Sequence, residues 1–305
     1  MAITAAMVKE LREKTSAGMM DCKKALNETN GDMDAAVDWL RKKGIAKADK
    51  KASRVAAEGL VAAATDGKTG VVVEVNSETD FVARNELFQE TVGKIAKRGL
   101  TVSDSAALAD ADLEGGKSVT GYLTELVGKI GENMSFRRME KLEVPQGVVA
   151  SYIHNAVAPD MGRIGVLVAL ESAGDTAKLE GLAKKIAMHV AATSPLANTV
   201  DDLDPALVSK EREMLKAEAL ESGKPENIVD KMVDGRMQKF FKESVLATQV
   251  FVMDGERTVE KVLEDEGKTL GSDIVLAGFV RMAVGEGIEK KEENFAEEVA
   301  AAVNG

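Results

Sequence analysis

A single cysteine, Cys22, stands in 305 residues, so no disulfide can close within the chain and a reducing compartment fits. Two histidines, His154 and His189, sit in different elements, and with one cysteine they make a structural zinc site a poor expectation. Aromatic residues are only 4% of the chain, so the core must be built from Ala, Val, Leu, Ile and Met. Positive charge is in deficit, with 40 basic against 51 acidic residues and a net charge of −11, which argues against a general nucleic-acid binder. No apolar run approaches the ~20 residues of a membrane span, and the N-terminus lacks the apolar stretch of a signal peptide. The expectation is a soluble, acidic, cytoplasmic protein.

Catalytic motifs are equally scarce. Gly115-Gly116-Lys117-Ser118 imitates the end of a phosphate-binding loop, but Ala111 stands where the first glycine is needed and no apolar strand precedes it. Gly285-Glu286-Gly287 is a fragment of a dinucleotide fingerprint without its third glycine. Glu74, Glu78 and Asp80 offer oxygen ligands for magnesium, yet Glu74 lies inside an apolar strand and Asp80 beside a cap position. The chain does not read as an enzyme.

What is present is a chain 45% apolar, long enough for two or three domains. Its centre is the stretch from Gly70 to Asn85. Val71, Val72, Val73 and Val75 form a β-branched run, which predicts a buried strand. Five polar residues, Asn76 to Asp80, end it, and Thr79 or Asp80 can cap a helix running from Phe81 to Ala96. Phe81 then sits at a strand-to-helix corner. Such a Phe either packs back on its own strand or projects from the rim as an apolar probe.

Residues 1–55 predict a small three-helix module. Thr4 caps a first helix carrying Met7, Val8 and Leu11, Asp21 caps a second through Leu26, and Asp32 caps a third ending at Gly44. Met19 and Met20 fall in the turn between the first two helices, where two thioethers suit an adaptable contact surface unless one fills the bundle. The basic run 41–54 has no interleaved aromatic residue and reads as a solvated linker or helix end rather than an RNA contact.

From 56 to 140 the pattern is α/β, with strands at Gly59–Ala64 and Gly70–Val75, an irregular excursion from Leu100 to Gly116, and a helix from Tyr122 to Ile130. Residues 141–286 repeat that grammar with strands at Val148–His154 and Ile164–Leu170 and a helix at Ala177–Ala192, which suggests two related core subdomains. An antiparallel helical hairpin interrupts the second at 193–242, its stripes being Leu207 and Met214 on one arm and Met232, Met237 and Phe241 on the other. Phe251–Met253 and Leu276–Met282 are strand-like, and a C-terminal helical module, 287–305, carries a helix from Glu293 to Val303. The fold class is therefore α+β.

Two stretches resemble one family. Glu74-Val-Asn-Ser-Glu-Thr-Asp-Phe-Val-Ala-Arg84 is similar to the core signature of bacterial elongation factor Ts, and Leu11 to Leu26 to its N-terminal signature. Further matches are Ser151–His154, Arg163–Val168, Ala187–Ala191, Met232–Met237 and Gly285–Lys290. The resemblance implies an N-terminal module of the ubiquitin-associated type and no cofactor. It also implies guanine nucleotide exchange on elongation factor Tu. Thr79, Asp80, Phe81 and Val82 would enter that partner near its magnesium site. Arg12, Met19, Met20 and Lys23 would meet a helix of the same domain, and His154 another domain. A homodimer through the hairpin is allowed, since some family members form one. Residues 155–162 are longer here than in the shortest members.

Overall fold

The computed structural model describes residues 3–15, 17–221 and 225–289. Three helices open the chain: α1 (Ala5–Thr15), α2 (Met19–Glu28) and α3 (Met33–Lys51). Leu11, Cys22, Ala25, Leu26 and Ala36 are their fully buried centre, a thin core for three helices. Asp32 caps α3 by accepting the Ala35 N–H, and Asn30 and Gly31, both at positive φ, turn the chain into it.

Two expectations here need correction. α2 begins at Met19, after Gly18, so the two methionines form a helical first turn rather than a loop, and Asp21 is not the cap. α3 does not stop at Gly44 but runs to Lys51, because Gly44 lies against Gly128 of a later helix. A Cβ on Gly128 would sit 2.8 Å from the Gly44 Cα, so only two bare backbones can approach this closely. The basic run therefore forms the second half of α3 and the linker beyond it, with Arg41 paired to Glu125 and Arg54 to Glu78.

The core begins with β1 (Glu58–Thr65) and β2 (Thr69–Ser77), then α4 (Glu86–Gly99), α5 (Ser105–Asp110), the short pair β3 (Asp112–Glu114) and β4 (Lys117–Ser118), α6 (Val119–Ile130) and β5 (Met134–Glu143). The segment 100–116 is thus more ordered than expected: Asp104 caps α5 by accepting the Ala107 N–H. There follow β6 (Gly147–Ala158), β7 (Met161–Glu171), α7 (Thr176–Thr193), α8 (Pro205–Glu221), α9 (Glu226–Ser244), α10 (Val259–Leu270) and β8 (Val275–Ala283).

Six strands make one antiparallel sheet, ordered β5-β2-β1-β7-β6, with β8 on the free part of β7. The two halves join where Val61 and Ala62 of β1 face Gly162 and Met161 of β7. The sheet curls so that its inner faces meet: Val61, Ala63 and Val72 pack with Val149, Leu167 and Ala169. Gly70 and Gly165 permit that approach, since a Cβ at either would come within 2.5 Å of a valine methyl across the interface. α4 and α6 cover the outside of one half, and α7 and α10 the outside of the other. The fold is mixed α and β, as the residue patterns imply.

α8 and α9 form the hairpin, tied by Arg212–Asp234 and Arg236–Glu218. Met237 is buried in its seam with Leu215, Ala219, Val229 and Val233, and Met232 and Phe241 pack against them. The expected stripe on α8 is one position off, because Leu207 and Met214 point outward at 37% and 49% exposure. Phe251–Met253 is a turn rather than a strand, entered from a bridge between Val250 and Thr258. The expected helix from Glu293 to Val303 lies outside the described residues.

Candidate functional site

β2 delivers the chain to a corner at residues 78–81. Neither Thr79 nor Asp80 caps the following helix. A single turn, Val82–Arg84, intervenes, and Asn85 caps α4 by accepting the Phe88 N–H. Thr79 is diverted to Glu132, in the turn after α6. Its N–H donates to Glu132 Oε2 at 3.0 Å and its hydroxyl to Oε1 at 2.8 Å. The Thr79 carbonyl accepts from Ser77 Oγ. Glu78 accepts the Asn133 N–H and pairs with Arg54, while Asn133 Nδ2 donates to the Arg54 carbonyl. The α6–β5 turn and the end of the α3 linker thus grip the corner from two sides.

Above that grip, Phe81 projects at 76% exposure, while Val82 and Ala83 beneath it are buried in the core. Phe81 therefore does not fold back on its strand. Asp80 is exposed, and among the described residues its carboxylate has no hydrogen bond or ion pair. Val82, grouped with these residues from sequence, supports the corner from below rather than sharing its surface.

Glu74 lies on the same strand, fully buried, and its oxygens gather five donor contacts. A bulge in β5 beside Glu74 and Val75 turns both Arg137 and Arg138 toward it, which consecutive residues of a regular strand cannot do. Arg138 Nε sits 2.6 Å from Oε2, and the Gly285 N–H sits 2.7 Å from Oε1. Burial works to raise this carboxyl's pKa, but the bonds from Gly285, Asn76, Arg138 and Arg137 outweigh it and hold the group below the ordinary carboxylate range. Both oxygens are engaged by donors, so the geometry is that of an internal clasp.

The N-terminal candidates form a second surface. Met19 and Met20 are 60% and 74% exposed, so neither fills the bundle. Lys23 follows Met19 by four residues and Met20 by three on one face of α2, and Arg12 is exposed on α1. His154 is elsewhere, on β6 opposite Ile164, its Nδ1 3.2 Å from the Tyr152 hydroxyl. The residues after it extend the hairpin: β6 runs to Ala158, and the Asp160 carbonyl accepts the Ala63 N–H of β1. Among the described residues no hydrogen bond or ion pair joins the corner, the α1–α2 surface and His154. Sequence patterns missed Glu132 and the arginine pair. An acid inside the Val71–Val75 run signals that a buried cation must exist, but nothing local announces Glu132.

Comparison with known proteins places the chain in a family. The elongation factor Ts family model matches residues 78–286, beginning at the corner. A curated Elongation factor Ts of Caulobacter vibrioides is 57% identical over 304 residues, covering 98% of this chain and 97% of that protein. The Elongation factor Ts of Brucella anthropi is 56% identical over the full length of both, and that of Maricaulis maris 59% over 98% of each. Among the described residues no helix is long and apolar enough to cross a membrane. With a family match over most of its length and such identities end to end, the chain belongs to the elongation factor Ts family.

Proposed function

We propose that this chain acts in translation elongation as the guanine nucleotide exchange factor of elongation factor Tu, releasing GDP by disturbing the magnesium and phosphate site. The observation that carries this reading is a phenylalanine 76% exposed on a turn that Glu132 and Arg54 brace through Thr79 and Glu78. A large apolar ring left in water on a braced turn gains ~1.5–3 kcal/mol when a partner buries it. Asp80 adds an unpaired carboxylate beside it, suited to compete for groups that hold a cation or a phosphate. A factor that binds the nucleotide-free partner better than the GDP form weakens GDP by the same factor.

In this reading Asp80 and Phe81 touch the partner and Thr79 and Val82 hold them. Arg12, Met19, Met20 and Lys23 engage a helix of the same partner domain, and His154 a second domain. The division into modules 1–55, 56–140, 141–286 and 287–305 follows these surfaces. The outward Leu207 and Met214 of the hairpin are the place for self-association. The protein would work in the cytoplasm by binding alone, without nucleic acid or a membrane.

Release of fluorescent GDP from elongation factor Tu tests the reading. The wild-type protein is expected to accelerate it, and Phe81→Ala to lose roughly 30-fold, the equivalent of a ~2 kcal/mol hot spot. No acceleration by the wild type refutes the proposal.

A further inference from the structure

We infer that Glu132 is a positioning residue for the exchange step, holding the Asp80–Phe81 corner in its docking conformation through Thr79. This rests on the exchange reading above. Glu132 does not share the exposed surface of Phe81. It follows Gly131, the left-handed C-cap of α6, and reaches across to a residue 53 positions earlier in sequence. Both its oxygens are used on Thr79, one bonded to the hydroxyl at 2.8 Å and the other accepting the N–H at 3.0 Å. A charge-assisted pair fixes a backbone N–H and a side chain of one residue together, so the turn loses both its slide and its rotation. Asp80 and Phe81 follow directly, with both side chains exposed and with the Phe81 carbonyl accepting the Arg84 N–H of the next turn.

The brace is also connected. The Gly131 carbonyl accepts from Lys51 Nζ, Asn133 Nδ2 donates to the Arg54 carbonyl, and α6 lies against α3 at Gly128 and Gly44. The same turn thus fastens the corner and the linker from the N-terminal module. Preorganisation of this kind acts on the step in which the corner enters its target, because an unbraced turn must be ordered at that moment. Docking through other surfaces does not depend on it.

The test is saturation kinetics of GDP release from elongation factor Tu with wild type, Glu132→Ala, Glu132→Gln, Thr79→Val and the Glu132→Ala/Thr79→Val double variant. It is paired with hydrogen exchange of the 78–82 amides in the free proteins. Glu132→Ala is expected to lower the maximal rate about tenfold (~1.4 kcal/mol) while the half-saturating concentration moves less than about twofold. Thr79→Val should cost little more once Glu132 is gone. Glu132→Gln should recover most of the rate, since its amide oxygen can accept the Thr79 N–H while its amide nitrogen donates to the hydroxyl. The Thr79 and Asp80 amides should exchange faster in Glu132→Ala. Additive losses, a loss only in half-saturation, or unchanged amide exchange would overturn the proposal. If Glu132→Ala misfolds, Thr79→Val, which removes the hydroxyl's bond to Glu132, carries the comparison with a smaller loss in maximal rate, and an unchanged maximal rate there overturns the proposal. If the wild type leaves GDP release unaltered, the exchange reading fails. Amide exchange alone then decides the brace, upheld by faster exchange and overturned by none.

Discussion

Removing the Glu74 carboxylate should unfold the protein far more readily than removing the exposed ring of Phe81. Glu74 is fully buried, and its partners Arg137 and Arg138 keep only 27% and 33% of their side chains in water. Glu74→Ala removes the carboxylate that both guanidiniums bind, leaving Arg138, among the described residues, only the longer Glu286 ion pair at 3.7 Å, and it strips the acceptor from the Gly285 N–H and one of two from the Asn76 amide. Breaking a buried pair from one side costs ~3–5 kcal/mol, and the arginines' partial exposure favours the lower end. At ~2–4 °C per kcal/mol for a chain of this order of size, the melting temperature should fall by about 6–12 °C. Differential scanning calorimetry of wild type, Glu74→Ala and Glu74→Gln measures it. The pH dependence has a defined sign. The carboxyl is held below its ordinary value of 4.5, so its contribution is complete above about 4.5 and is lost as pH falls through the lower folded value. The gap between wild type and Glu74→Gln should therefore narrow in acid. A Glu74→Ala protein melting within about 1 °C of wild type near neutral pH would refute the clasp, as would a gap that widens on acidification.

Three further outcomes follow from the packing. Gly165→Ala places a methyl 2.5 Å from Val61 Cγ1 and 2.8 Å from Val72 Cγ2, and should cost ~1–3 kcal/mol, seen as a lower urea midpoint at unchanged slope. Gly128→Ala should push α3 off α6, exposing residues 1–55 to protease while the melting of the sheet core barely changes. His189 is buried, with Nε2 2.8 Å from Gln249 Oε1 and Nδ1 accepting the Val252 N–H, so the neutral ring is the one that fits. Burial holds its pKa below 6.5 against the opposing pull of Gln249. Stability from His189 should thus be complete above about 6.5 and decline as pH falls, a decline that His189→Phe should flatten in urea titrations.

The corner was legible because two unlike signals abut there, a β-branched run and a polar pentad. Its capping was not, because Thr79 had a choice between a local helix and a carboxylate 53 residues away, and only the folded chain decides that contest. Gly44 looked like a stop because nothing nearby reveals Gly128, the neighbour that makes a bare backbone useful. On α8, Leu207 and Met214 share the seven-residue spacing of Val208 and Leu215, one position apart. Periodicity locates such a stripe, but the partner helix selects between the two. α10 was readable and overlooked: Thr258 caps it, and Val259, Val262 and Leu263 have helical spacing. Phe251–Met253 imitated a strand because three apolar residues can equally line a turn that covers His189, whose ring lies 5.7 Å from that of Phe251.

The curled sheet has a last consequence. Besides a core under the helices of each half, the two halves share an interior, where valines from one meet the other through gaps left by Gly70 and Gly165. A joint so filled does not flex without opening a void. If Phe81 on one half and His154 on the other both meet a partner, as proposed, that filled joint is what would set the span between them.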